Sequence, residues 1–233
     1  MSRDTARVAH PQIARAHIEG KDFTLYYDYD QLRNGKLSQL TDDGKIEWFR
    51  LRMHYVFLEP IGRLFRAKSP AYRELNSTKP NDLPARSFVI ASFSLLLNGI
   101  EALGSFLTTS SKNHVRFDTF IATYMSSWDV RVPSLGPTAY LKAILWNDFR
   151  NGIAHGFAIQ DGGIDNEADA APGGWRVVKD AGPSGSMTKR LEIGPNAFFR
   201  DFRAGVDQFF EAVRHSPVHR STFLRRFQTI YPT

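Results

Sequence analysis

The sequence predicts a mainly α protein, a bundle of about five helices with a small β insertion, and three observations carry that prediction. Apolar residues recur at helical spacing in long segments between about residues 46 and 213. After residue 156 the texture changes to short alternating or β-branched runs separated by Gly, Pro and Asp. The 233 residues, 42% hydrophobic and 13% aromatic, hold enough apolar material for one sizeable core. On this reading residues 1–45 form an N-terminal arm with a short hairpin, and residues 46–233 a helical domain with the β insertion at about 156–193.

Residues 1–21 read as a mobile or weakly helical arm. Phe23, Leu25, Tyr27 and Tyr29 then alternate before an Asn34-Gly35 turn signal, which suggests a short strand or hairpin. Such aromatics pack against a domain more readily than they stack on bases. From Ile46 to Phe65 a helix is expected, since Ile46, Phe49, Met53, Val56, Phe57, Ile61 and Leu64 keep helical spacing. Pro60 should kink it or divide it in two. A connection rich in proline and small polar residues follows, and Asp82 is a credible N-cap for the next helix, about Pro84 to Thr109.

That helix is almost wholly apolar, yet Ser87, Ser94, Asn98, Glu101, Ser105 and Thr108 form one narrow polar stripe along it. A carboxylate there is costly to bury without a cation or donors, and Arg150 is the obvious partner for Glu101. Asn113 is expected to cap a helix from His114 to Trp128, a scaffold element. The segment 129–137 turns the chain into a further helix, TAYLKAILWNDF, with Tyr140, Ala143, Ile144 and Ile153 near one face and Trp146 and Phe149 beside it. Residues 157–159, 175–178 and 188–193 suggest a hairpin or three-stranded flap, with DGGIDNEADAAPGG as a solvated loop. Gly194-Pro195-Asn196 starts a helix with the apolar face Phe198, Phe202, Val206, Phe209, Phe210 and Val213, and a last helix runs from about Ser221 to Ile230.

Composition narrows the function classes. Without cysteine there is no disulfide framework, no thiolate nucleophile and no cysteine zinc site, so a cytoplasmic protein is expected. No stretch reads as a signal core or a membrane span, and no membrane partner is expected. A net charge of +6 and a pI near 9.6 suit a polyanionic partner, although a solvated face explains each basic cluster alone. No metal or other cofactor is expected: His215 and His219 have a four-residue separation, but Pro217 breaks the helix that would align them.

The stretch with chemistry is Asp148 to Gly156, DFRNGIAHG, at the end of an apolar helix. On an ideal α-helix Asn151 and His155 share a face, while Arg150 and His155 lie about 140° apart and roughly 7.5 Å along the axis. Gly156 reads as a left-handed C-terminal cap that frees the His155 ring. Local pattern alone leaves Arg150 and Asn151 equally readable as solvated surface and His155 as a cap of the last carbonyls. The order Arg150-Asn151, three residues, then His155 and Gly156 resembles the signature of the HEPN superfamily of all-helical proteins, and the helix LLLNGIEAL around Asn98 and Glu101 is similar to the one that packs beside it there.

The resemblance, from roughly residue 46 to 214, implies a HEPN-like bundle and a metal-independent endoribonuclease, in the family often a toxin or an antiviral defence effector. It implies proton transfer by His155, stabilisation of phosphorane charge by Arg150, orientation by Asn151 and support from Glu101 and Asn98. RNA is then the substrate, a homodimer through the motif helix the assembly, and an antitoxin or other protein a partner. The alternative is a catalytically inert HEPN-like module that binds a partner protein or a nucleotide, its site covered by the β insertion.

Overall fold

A computed structural model describes residues 15–25, 37–66, 83–156, 159, 162–181 and 187–232. The described residues are mainly helical with two small β-sheets. The first sheet is a hairpin, β1 (Arg15–Ile18) antiparallel to β2 (Lys21–Thr24), which stands earlier than the alternating aromatics suggest and replaces part of the expected arm. Its turn is Glu19-Gly20, both with positive φ, 51° and 76°, a conformation that Gly20 adopts without strain. Tyr27, Tyr29 and the Asn34-Gly35 signal lie outside the described residues. The Glu19 carboxylate accepts from the Thr41 amide at 3.1 Å and from the Thr41 hydroxyl, which ties the hairpin to the next helix.

That helix is α1 (Asp42–Arg52), capped by Thr41, whose hydroxyl oxygen accepts from the Gly44 amide at 3.2 Å. A π-helical segment, Met53–Leu58, and α2 (Glu59–Arg66) continue it. The division expected at Pro60 takes the form of this widened segment between two α-helical pieces, with the Glu59 amide bonded to the His54 carbonyl just before the proline. The next helix, α3 (Leu83–Gly104), ends five residues before the expected Thr109, and its proposed cap Asp82 lies outside the described residues. Helix α4 (Asn113–Tyr124) begins on Asn113 itself, with Lys112 at the cap position and no side-chain cap bond. Asn113 instead accepts from Arg116 at 3.4 Å, and the expected last turn is a separate 3₁₀ turn, Ser126–Trp128.

The motif helix is built of three pieces, α5 (Leu141–Ile144), a π-helical segment Leu145–Asn151, and α6 (Gly152–Gly156). Of the expected face of Tyr140, Ala143, Ile144 and Ile153, Tyr140 precedes the helix in extended conformation and is exposed, as is Ala143, whereas Ile144 packs against the core and Ile153 is buried. The buried face is Leu141, Leu145, Phe149 and Ile153, four residues apart throughout. On a pure α-helix each such step advances by about 40°, whereas π turns hold more residues and pull the row back into line. Gly156 is helical rather than a left-handed residue beyond the end.

The second sheet follows. Strand β3 (Gly162–Ile164) runs parallel to β5 (Met187–Ile193), and β4 (Trp175–Ala181) pairs antiparallel with β5, giving the order β3-β5-β4, while Phe157 and Ala158 of the expected first run lie outside the described residues. The acidic run expected as a solvated loop contains a 3₁₀ turn, Asn166–Ala170, with Ala168 buried. Its Asp169 accepts from the Ala197 amide at 2.8 Å and from the Asn196 amide group at 2.7 Å, capping α7 (Pro195–His215). Helix α8 (Pro217–Ile230) starts four residues before the expected Ser221, with Ser216 as N-cap and Pro217 in its first turn.

One aromatic core joins these elements. The predicted face of α7 is buried in full, and Phe106 stacks on Phe223 at 5.0 Å while Phe49 lies 4.9 Å from Phe106. Helix α3 gives Phe93, Leu96, Leu97, Ile100 and Leu103 to the same core and packs on α4, α7 and the motif helix. Fully burying each such side chain stabilises by about 1.5–3 kcal/mol, which holds α3 and the motif helix in fixed register. No helix among the described residues is long and apolar enough to cross a membrane.

Candidate functional site

The core contact that builds the site is Phe149 against Phe93, ring centroids 5.8 Å apart. Phe149 is fully buried, so the next residue is turned along the edge of the α3 contact. Arg150 there donates from Nη2 to Oε2 of Glu101 at 2.8 Å, the contact expected from the lone carboxylate in an apolar helix. Both side chains are mostly buried, 19% exposed for Arg150 and 16% for Glu101.

Two further groups hold the guanidinium. Nη1 donates to Asn151 Oδ1 at 3.2 Å, and Cζ lies 4.8 Å from the centre of the Trp146 ring. Nε is buried without a hydrogen-bond partner among the described residues. Of the five N–H donors, one on Nη2 and one on Nη1 are engaged and Nε is closed off, which leaves one hydrogen on each terminal nitrogen. N–H donors held on a planar guanidinium suit the oxygens of a phosphate.

Trp146 is the residue that sequence reading missed as part of the site. It stands four positions before Arg150 on the same helix, a separation at which side chains meet, and that spacing was the available signal. The ring is itself packed against Phe117 of α4 at 5.3 Å and His114 at 6.3 Å. An indole wedged between helices is a firm shelf for the arginine.

His155 lies in α6, five residues beyond Arg150, and its side chain is outside the described residues. Since Arg150 and Asn151 end a π segment, the ideal-helix angle of about 140° between Arg150 and His155 does not carry over. Asn98, one turn before Glu101, is exposed. Farther along the stripe, the Ser105 hydroxyl donates to the Ala102 carbonyl at 2.7 Å and accepts from Arg226 Nε at 3.2 Å. Behind the motif helix, a methyl group on Gly162 of β3 would stand 2.5 Å from Phe149 Cζ, so the sheet presses on the buried side of the helix.

Among the described residues no group of three or more His, Asp or Glu side chains could hold a metal ion. Comparisons with models of protein families, with curated proteins and with solved structures find no match to this chain.

Proposed function

We propose that the protein is a metal-independent endoribonuclease with a HEPN-like bundle, cutting RNA by attack of a ribose 2′-OH on the adjacent phosphate. The observation that carries this reading is the Arg150 assembly: a planar cation oriented by Glu101, Asn151 and the Trp146 shelf, with one donor hydrogen left on each terminal nitrogen. Such preorganised donors stabilise charge that develops on a phosphorane more than they stabilise the ground-state diester. His155 handles the protons: the 2′-OH proton leaves to a base as the O–P bond forms, and the 5′ oxygen departs with a proton from an acid. The products are a 2′,3′-cyclic phosphate and a 5′-OH.

The reading includes a homodimer that brings two motif helices to one cleft, so that one imidazole serves as base and the other as acid. With the ideal-helix angle gone, its support is the free face of α3: Ala91, Leu95, Asn98 and Ala102 recur at i, i+4, i+7 and i+11, all exposed, with Leu95 at 45%. A cytoplasmic toxin held by an antitoxin, or an antiviral defence effector, is the corresponding role.

One observation favours the second reading, an inert module that binds a protein or a nucleotide: Glu101 already neutralises the Arg150 charge. Incubation of the purified protein with mixed RNA and excess chelator separates the two. Cleavage to cyclic-phosphate ends supports the nuclease, and intact RNA at all protein concentrations supports the binding module.

A further inference from the structure

The π-helical segment Met53–Leu58 lines a cleft of about 560 Å³ on a face formed by α1, α2 and α7. Pro60 gives that segment a structural cause, so its irregularity says nothing of a ligand by itself. What it does is place His54, Tyr55 and Leu58 along one wall. Arg50 stands at the α1 end, and Asn196, Phe199 and Arg203 of α7 form the opposite wall. The volume is within the range of small-molecule sites, about 300–1,000 Å³.

Two kinds of group converge there. The cationic donors come from both walls: Arg50 gives Nε and Nη2 to Glu47 at 2.8 and 2.6 Å, which leaves Nη1, and Arg203 is exposed with no hydrogen bond or ion pair among the described residues. Both line the same cleft as His54. Of the negative groups nearby, Glu59 is paired with Arg63 at 2.5 Å, and Asp207, 3.1 Å from His54, is not among the residues that line the cleft. The second kind is aromatic: Tyr55 is 51% exposed, an unusual position for a large ring, and Phe199 flanks the cleft.

We propose that this cleft binds a small phosphate ester carrying a planar ring, its phosphate between Arg50 and Arg203 and its ring against Tyr55 and Phe199. Donors approaching from two helices suit the tetrahedral oxygens of a phosphate better than a flat carboxylate. The site is separate from the Arg150 assembly and does not rest on RNA cleavage.

Phenyl phosphate in a phosphate-free buffer is the probe, with inorganic phosphate, phenol and benzoate as its parts and rival, read by calorimetry or ligand-observed NMR on the full chain. The expected result is a Kd of about 1 mM or tighter for phenyl phosphate, with each other probe at least about tenfold weaker. Arg203→Ala and Tyr55→Ala should each weaken phenyl phosphate about tenfold or more while leaving Tm unchanged, since both residues are exposed. Arg150→Ala should bind it as the parent does. No binding by the parent, parent-like binding by the Arg203 and Tyr55 variants, or equal binding of benzoate would each overturn the assignment.

Discussion

Replacing Glu101 by alanine removes the carboxylate that Arg150 meets at 2.8 Å. An exposed ion pair contributes only about 0.2–1 kcal/mol, whereas removing one partner of a buried pair costs about 3–5 kcal/mol. Here both side chains are mostly buried, but the orphaned guanidinium keeps Asn151 and the Trp146 face. The cost is therefore intermediate, about 2 kcal/mol, equivalent to a fall in Tm of about 4–8 °C at this chain length. Urea unfolding with an unchanged m-value measures it, and a cycle with Arg150→Met isolates the pair as a coupling of about 1–2 kcal/mol. Glu101→Gln, which keeps an acceptor, should fall between. A Glu101→Ala protein as stable as its parent, with no coupling in the cycle, would refute the view that this carboxylate holds the arginine.

Three further outcomes are expected. Burial, with Arg50 and Arg203 pushing the same way against Asp207, holds His54 below the ordinary imidazole range. The unfolded chain then takes up the proton more readily, so the stability due to neutral His54 is complete above about pH 6.5 and is lost as pH falls from there through the lowered folded value; His54→Gln should flatten that slope in urea titrations, and equal slopes would contradict it. Gly104→Ala should destabilise by about 1–3 kcal/mol or more, because the added Cβ would stand 1.9 Å from the Arg116 carbonyl oxygen; a parent-like Tm would show that α3 and α4 are not so closely locked. Mixing Arg150→Ala with His155→Ala subunits should restore part of the RNA cleavage that each lacks alone, and a preparation that sediments as a monomer at about micromolar concentration while cleaving RNA would exclude a composite site.

Parts of this arrangement could be read from residue order because a single physical constraint dominated there. The α7 face is one: six apolar residues at helical spacing leave burial as the only outcome, and all six are buried. Glu101 is another, since a carboxylate in so apolar a helix needs a cation and Arg150 is there. Where two constraints competed, the reading slipped. On the motif helix the expected face holds for Ile144 and Ile153 but not for Tyr140 and Ala143, since the π segment changes the angular step and nothing in LWNDFRN announces the i→i+5 pattern. Asn113 has the chemistry of a cap but lies one residue inside the helix, and Asp169, in a loop expected to be solvated, caps α7 from 28 residues away. The short parallel pairing of β3 with β5 is a tertiary contact, set by the close approach of Gly162 to Phe149 rather than by any turn signal.

Arg150 and His155 are the groups proposed to cleave RNA without metal. The direct measurement is the rate of RNA cleavage in excess chelator by the parent, Arg150→Ala and His155→Ala proteins, each first shown to be folded by its Tm. The account predicts chelator-resistant cleavage by the parent to 2′,3′-cyclic phosphate ends, and a loss of at least about 10²-fold in each variant, the scale of losing one proton-transfer or charge-stabilising group. Cleavage by either variant at the parent's rate, or parent activity that vanishes with the metal, would contradict it.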